Sequence, residues 1–172
     1  PTATATNTVN TKNPTPIPTL EPVTIPQPTG NLVPFTPEDW SQPLVVNSAQ
    51  GLRVSTLLSS DGPIYINWSA GNIEKTGIAQ RFFIDLYMDH ILVERWTVNG
   101  LEGNSQVTVS DWNRHIGVVK FSAGTHMLKL VVDSTDLVWE TDESDNVFQQ
   151  EFNWSESIVP TQTSILTRLP DL

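Results

Sequence analysis

The sequence contains no cysteine. That excludes thiol catalysis, a disulfide scaffold and cysteine-ligated zinc or iron–sulfur centres. It suits an exported bacterial protein as well as a cytoplasmic one, so it does not fix the compartment. Basic side chains are also scarce, with nine Lys and Arg against 19 Asp and Glu, for a formal net charge of −10 over 172 residues. Phosphate recognition needs clustered Lys and Arg, and here they are scattered, so neither nucleic acid nor an anionic membrane surface is expected as a partner. No apolar run approaches the ~20 residues of a spanning helix, so no membrane insertion of this segment is expected. There is no signal peptide, but residue 1 is proline rather than methionine. The sequence therefore reads as part of a longer chain, whose targeting it does not reveal. No HExxH, GxSxG or glycine-rich phosphate loop is present, and no long segment carries a helical apolar stripe.

What is present is unevenly distributed. Residues 1–43 hold ten of the 13 prolines, and the first 40 residues hold ten threonines and only four charged side chains, Lys12, Glu21, Glu38 and Asp39. Each proline fixes φ and pushes the preceding residue toward extended backbone. With too little apolar mass for a core, residues 1–40 are expected to form a Thr/Pro-rich extended linker, with a reach on the order of 100 Å at ~3.1 Å per residue. Residues 156–172, with Pro160 and Pro170, are expected to be a shorter C-terminal connector. The folded domain is expected over residues 41–155, long enough to bury a core without disulfides.

Within that domain the hydrophobic period is two. Phe82, Ile84, Leu86 and Met88 alternate with Phe83, Asp85 and Tyr87, and Leu128, Leu130 and Val132 fall in register. Further stripes run through Ile64, Ile66 and Trp68, through Val107 and Val109, through Phe148, Phe152 and Trp154, through Leu92–Val98 and through Val118–Phe121, with another short strand near Leu44–Val46 or Leu52–Val54. Turn signals separate them at Asp61-Gly62-Pro63, Ala70-Gly71-Asn72, Asn99-Gly100, Glu102-Gly103-Asn104 and Ala123-Gly124, and Asp89-His90 reads as a tight hairpin without glycine. Seven to eight short antiparallel strands with frequent turns predict an all-β sandwich or barrel.

Several of these segments together resemble the CARDB domain, a cell-adhesion-related domain of bacteria. They are Ile66-Asn67-Trp68, the Leu86-Tyr87-Met88-Asp89 hairpin, the Ala123-Gly124-Thr125-His126 lead into a strand, and the acidic close Val138-Trp139-Glu140-Thr141-Asp142-Glu143-Ser144-Asp145-Asn146. The resemblance covers roughly residues 61–154, and its acidic close is the most specific element. Two departures stand out: Gly71-Asn72 with a later Thr76-Gly77 replaces a clean Asn-x-Gly turn, and His90 stands where the family often has glycine. The resemblance implies an immunoglobulin-like antiparallel β-sandwich on exported, multidomain proteins, and no catalytic activity.

Chemistry concentrates in one run. Six carboxylates, Asp133, Asp136, Glu140, Asp142, Glu143 and Asp145, fall within residues 133–145 with no basic residue among them. Like charges at this density repel unless amides, a cation or water offsets them. A hard cation such as Ca²⁺ takes six to eight oxygens, and these six side chains with Asn146 form the candidate ligand set. Of them, Asp133, Glu140, Glu143 and Asn146 match the family pattern. The spacing is not that of an EF-hand, and the competing reading is a solvated hairpin loop whose carboxylates accept backbone N–H bonds. Six tryptophans raise a second possibility: Trp68 and Trp154 lie on apolar strand faces, while Trp96 and Trp112, in polar stretches, are candidate platforms for a sugar, with burial as the favoured competing reading. The expected function is a non-catalytic extracellular or cell-surface module of a larger bacterial protein, an adhesion or spacer domain whose partners are neighbouring domains and a surface glycan or protein, with Ca²⁺ as its candidate cofactor. The alternative is a carbohydrate-binding module attached to a secreted enzyme.

Overall fold

The structure, a computed structural model, describes residue 28, residues 30–113 and residues 122–156. Nine strands are present among them: β1 (Leu32–Pro34), β2 (Leu44–Asn47), β3 (Leu58–Ser59), β4 (Tyr65–Asn72), β5 (Ile78–Met88), β6 (Ile91–Leu101), β7 (Ser105–Trp112), β8 (Gly124–Val132) and β9 (Val147–Ser155). One sheet is built on β4. Strand β7 runs antiparallel along one side, and β1 and β2 share the other, β2 against Tyr65–Trp68 and β1 against Ala70–Asn72. The second sheet has the order β3-β9-β8-β5-β6, antiparallel throughout except for the parallel pair β3–β9. The two sheets form the expected immunoglobulin-like sandwich.

The period-two stripes become the inner faces. Phe82, Ile84, Leu86, Leu128, Leu130 and Val132 from one sheet meet Trp68, Ile66, Leu44 and Val46 from the other, all essentially inaccessible to solvent. The register follows from this burial, because a slip by one residue would turn each stripe outward. The hairpin between β5 and β6 turns on Asp89 and His90 with φ of 46° and 70°. Two successive left-handed residues match the twist of the flanking strands, and Asp tolerates this region better than most side chains.

Four expectations are corrected. The folded domain begins well before residue 41: Leu32 is fully buried, β1 pairs with β4, and Trp40 is buried too. A three-residue strand ending in proline gives no periodic signal, yet at an edge proline is tolerated. Ala70-Gly71-Asn72 is not a turn but the end of β4. A side chain at Gly71 would press within 3.1 Å of Phe35, so the glycine serves close packing. Asn99-Gly100 likewise lies inside β6, where Gly100 has φ +86° and a Cβ would fall 2.7 Å from the Ile78 carbonyl oxygen. The strand count is nine among the described residues because β1 and β3 are too short to be read as stripes. The stretch Val118–Phe121 lies outside the described residues.

The topology also sets where the chain enters and leaves. At Gly30 it lies beside Glu140 in the loop joining β8 to β9, and the Thr141 amide donates to the Gly30 carbonyl at 2.9 Å. Strand β9 then runs from Val147, opposite Val131, to Trp154, opposite Gly124. It leaves beside β3, where the Ser60 amide donates to the Ser155 carbonyl at 3.1 Å. These poles are separated by a strand length, on the order of 25 Å.

Candidate functional site

The acidic run forms the β8–β9 loop, and most of its carboxylates are occupied by backbone. Asp133, in left-handed conformation with φ 43°, is buried and accepts the Val138 amide on Oδ2 at 2.7 Å. Glu143 accepts the Glu140 amide at 2.8 Å. Asp142 caps Ser144, taking its amide at 2.9 Å and its hydroxyl at 2.6 Å, which lowers the Asp142 carboxyl. Glu140 is 3% exposed, accepting the Leu32 amide on one oxygen and the Asn146 side-chain amide on the other at 3.0 Å. Burial pushes its carboxyl up to about 7; the bonds from Leu32 and Asn146 pull it down, and the neighbouring Glu143 and Asp133 add to the rise. Asn31 completes the fastening: its Nδ2 donates to Asp145 at 3.0 Å and its Oδ1 accepts the Asp142 amide at 3.3 Å. The loop is thus a clasp on the incoming chain at Gly30–Leu32.

The metal candidates separate in space. Asp133, Asp136, Glu143 and Asn146 line, with Ser134, a shallow depression of about 270 Å³ between the loop and the ends of β8 and β9. Glu140 and Asp142 do not line it; their oxygens face β1 and Ser144 instead. Among the described residues no three Asp, Glu or His side chains gather into a metal-holding cluster, so the converging seven-ligand set is not observed. Two carboxylate or amide oxygens on residues lining the depression nevertheless lack a partner. Asp133 Oδ1 and Asn146 Oδ1 are buried and unbonded, on side chains 4% and 8% exposed. Nearby Asp145 Oδ1 is unbonded too. Buried acceptors without donors cost about 1–3 kcal/mol each, and acceptors alone suit a hard cation.

The sugar-platform expectation is corrected. Trp96 lies tilted against the fully buried Trp68 at 4.9 Å between ring centroids, and Trp112 meets Trp96 edge-on at 5.7 Å. Both are partly buried against the core and close the sandwich between β6 and β7. The tryptophan that does face solvent is Trp139, 49% exposed, because Val138 beside it points into the core. Sequence reading missed it, along with Asn31 and Ser134; the inward Val138 between two apolar neighbours was the available signal.

One arrangement imitates a catalytic triad. His126 Nδ1 lies 2.5 Å from Asp89 Oδ2, and Ser122 Oγ lies 3.5 Å from His126 Nε2. However, Nε2 lies closer to the Ser122 carbonyl oxygen, at 3.0 Å. A carboxylate and a carbonyl both call for N–H donors, so this geometry favours the imidazolium, which has no lone pair to accept a hydroxyl proton. The Asp89 bond raises His126 and lowers Asp89 correspondingly. With the Met127 amide on Asp89 Oδ1 at 2.9 Å and the ring edge-on to Trp154 at 5.2 Å, the pair ties the β5–β6 turn to β8. His126 thus has a hydrogen-bonded structural role in the fold.

Comparison with known proteins agrees with this architecture. The CARDB family model matches residues 72–150. A crystal structure of a CARDB domain from Pyrococcus furiosus, in complex with di-metal ions, superposes with a TM-score of 0.55 at 13% identity, covering 77% of this chain and all of that one. A solution NMR structure of the same Pyrococcus domain gives 0.52 at 15% identity, covering 75% and 98%. No curated protein matches. Residues 72–150 thus match the CARDB domain, a non-catalytic domain family.

Proposed function

We propose that this chain is a cell-surface adhesion and spacer module that presents neighbouring domains of a larger exported protein. The observation that carries the reading is the through-going path: the chain enters at the β8–β9 loop and leaves at the opposite pole beside β3. Such a module adds its own length to a tether instead of folding it back. The test is a replacement in the parent protein, displayed on cells. Exchanging residues 30–156 for an unrelated sandwich of equal span and like poles is expected to preserve the reach of the outermost domain. Exchanging them for a domain whose termini are adjacent is expected to shorten it. Equal reach in both would end the spacer reading.

A second element is supported by the unpartnered Asp133 and Asn146 oxygens. We propose that the depression they share with Asp136 and Glu143 takes one Ca²⁺, with water completing the shell. The related Pyrococcus domain was crystallised with di-metal ions, which is compatible with this reading. At a Ca²⁺ concentration a hundredfold above its dissociation constant, the melting midpoint is expected to rise by about 5–10 °C over that in chelator. An unchanged midpoint would remove the ion from the account.

A further inference from the structure

The outer face of the five-stranded sheet carries a ladder of cations and rings that the spacer reading does not use. On β5, Arg81, Phe83, Asp85 and Tyr87 project to this face at alternate positions. Asp85 is fully buried beneath Arg95, which grips it through Nε and Nη2, both at 2.7 Å, while the Tyr87 hydroxyl donates to it at 3.1 Å. The Arg95 guanidinium lies 5.3 Å from the Phe83 ring centroid and that of Arg81 lies 5.5 Å from it. Lys129, opposite Tyr87 in register, holds its Nζ 4.7 Å from the Tyr87 centroid. Arg81 and Lys129 make no ion pair with a described carboxylate. In a chain of net charge −10, Arg81, Arg95 and Lys129 are three of the five described Lys and Arg, and all stand on one face.

We propose that this face binds an extended, hydroxyl-rich polyanion, an acidic polysaccharide bearing uronate carboxylates. Arg81 and Lys129 are separated by six residues of β5 register, about 20 Å at ~3.3 Å per residue, with Arg95 between them. A ligand touching all three is therefore extended and carries anionic groups at intervals. Each cation is already seated on a ring, and Arg95 is anchored to a buried carboxylate, so little side-chain ordering remains to be done on binding. Exposed Thr97, Asn99 and Gln149 add donors and acceptors for hydroxyl groups. A folded protein partner fits less well. The exposed apolar side chains here, Leu92 on β6 and Val147 on β9, are separated by β5 and β8. At three strand spacings, about 14 Å, they form no contiguous apolar centre.

This proposal gives chemical content to the adhesion reading and rests on it, but its test is separate, since a spacer keeps its reach with this face blank. The full chain is passed over immobilised polygalacturonate, with dextran and polyglutamate as comparison matrices. Retention on polygalacturonate is expected at low ionic strength, weakening as salt screens the contacts, with none on dextran. Arg81→Gln combined with Lys129→Gln is expected to weaken it by about tenfold, the size of two screened charge contacts, with the melting midpoint unchanged. Equal retention of the double variant, or no retention of the wild type, would overturn the proposal. Tighter retention on polyglutamate would overturn it too, in favour of an acidic peptide.

Discussion

Two buried carboxyl groups in this domain meet opposite fates. Asp85, on the outer sheet face, is completely inaccessible, yet its carboxyl lies below the usual value: burial raises it, and the bidentate Arg95 bond with help from Tyr87 more than offsets the rise. Glu140, in the β8–β9 loop, is buried to a similar degree, has no ion pair with a cation among the described residues, and is pushed up to about 7. Both make the hydrogen bonds their burial demands. The difference shows that neutral donors satisfy geometry without balancing charge, whereas a guanidinium does both.

Glu140→Ala is the most severe way to break the comparison. It strips the acceptor from the Leu32 amide and the Asn146 side chain, leaving two buried donors, and is expected to cost about 3 kcal/mol in denaturant unfolding. It should also release Gly30–Leu32 from the clasp, read as faster amide exchange across β1. A loss no larger than that of an exposed glutamate would mean the clasp contributes little.

The pH dependence separates the two carboxyls next. Glu140 has a folded value above its unfolded one, so its neutral form stabilises the fold fully below about 4.5, and that contribution fades as pH rises toward about 7. The expected loss, followed in chelator, is on the order of 3 kcal/mol. His126, also raised, acts in the same direction: its contribution is complete below 6.5 and lost as pH climbs through its folded value. Asp85 acts oppositely, contributing above 3.8 and losing that contribution as pH falls through its depressed folded value. Stability should therefore peak in mildly acidic solution, and Glu140→Gln should flatten the neutral limb while leaving the acid limb intact. A profile rising from pH 5 to 8 in the wild type would contradict this.

The smallest effect sharpens the contrast between buried and displayed groups of the same loop. Trp139→Ala, at a half-exposed position, is expected to change stability by no more than about 0.5 kcal/mol. A larger loss would show that this ring packs on something beyond its own loop.

Much of the fold was legible in advance. Alternation in β4 to β9 is a local property, and a stripe such as Phe82-Ile84-Leu86-Met88 has one economical destination, the inside of a sandwich. The acidic loop was legible as a concentration of charge. The role of each carboxylate in it was not, because Glu140 is defined by Leu32 and Asp145 by Asn31, residues more than a hundred positions away. The choice between platform and core for Trp96 was open for the same reason: its neighbour in space is Trp68 on the facing sheet.

The sequence by itself determined the all-β class, the strand period, the cysteine-free chemistry and the site of greatest negative charge, because each is written in composition or in spacing over a few residues. Only the tertiary structure decided which carboxylates are clasp, which line the depression and which sits under an arginine. Protonation and ligation depend on desolvation and on the charge of the nearest group, and both are set by the strands that folding brings alongside.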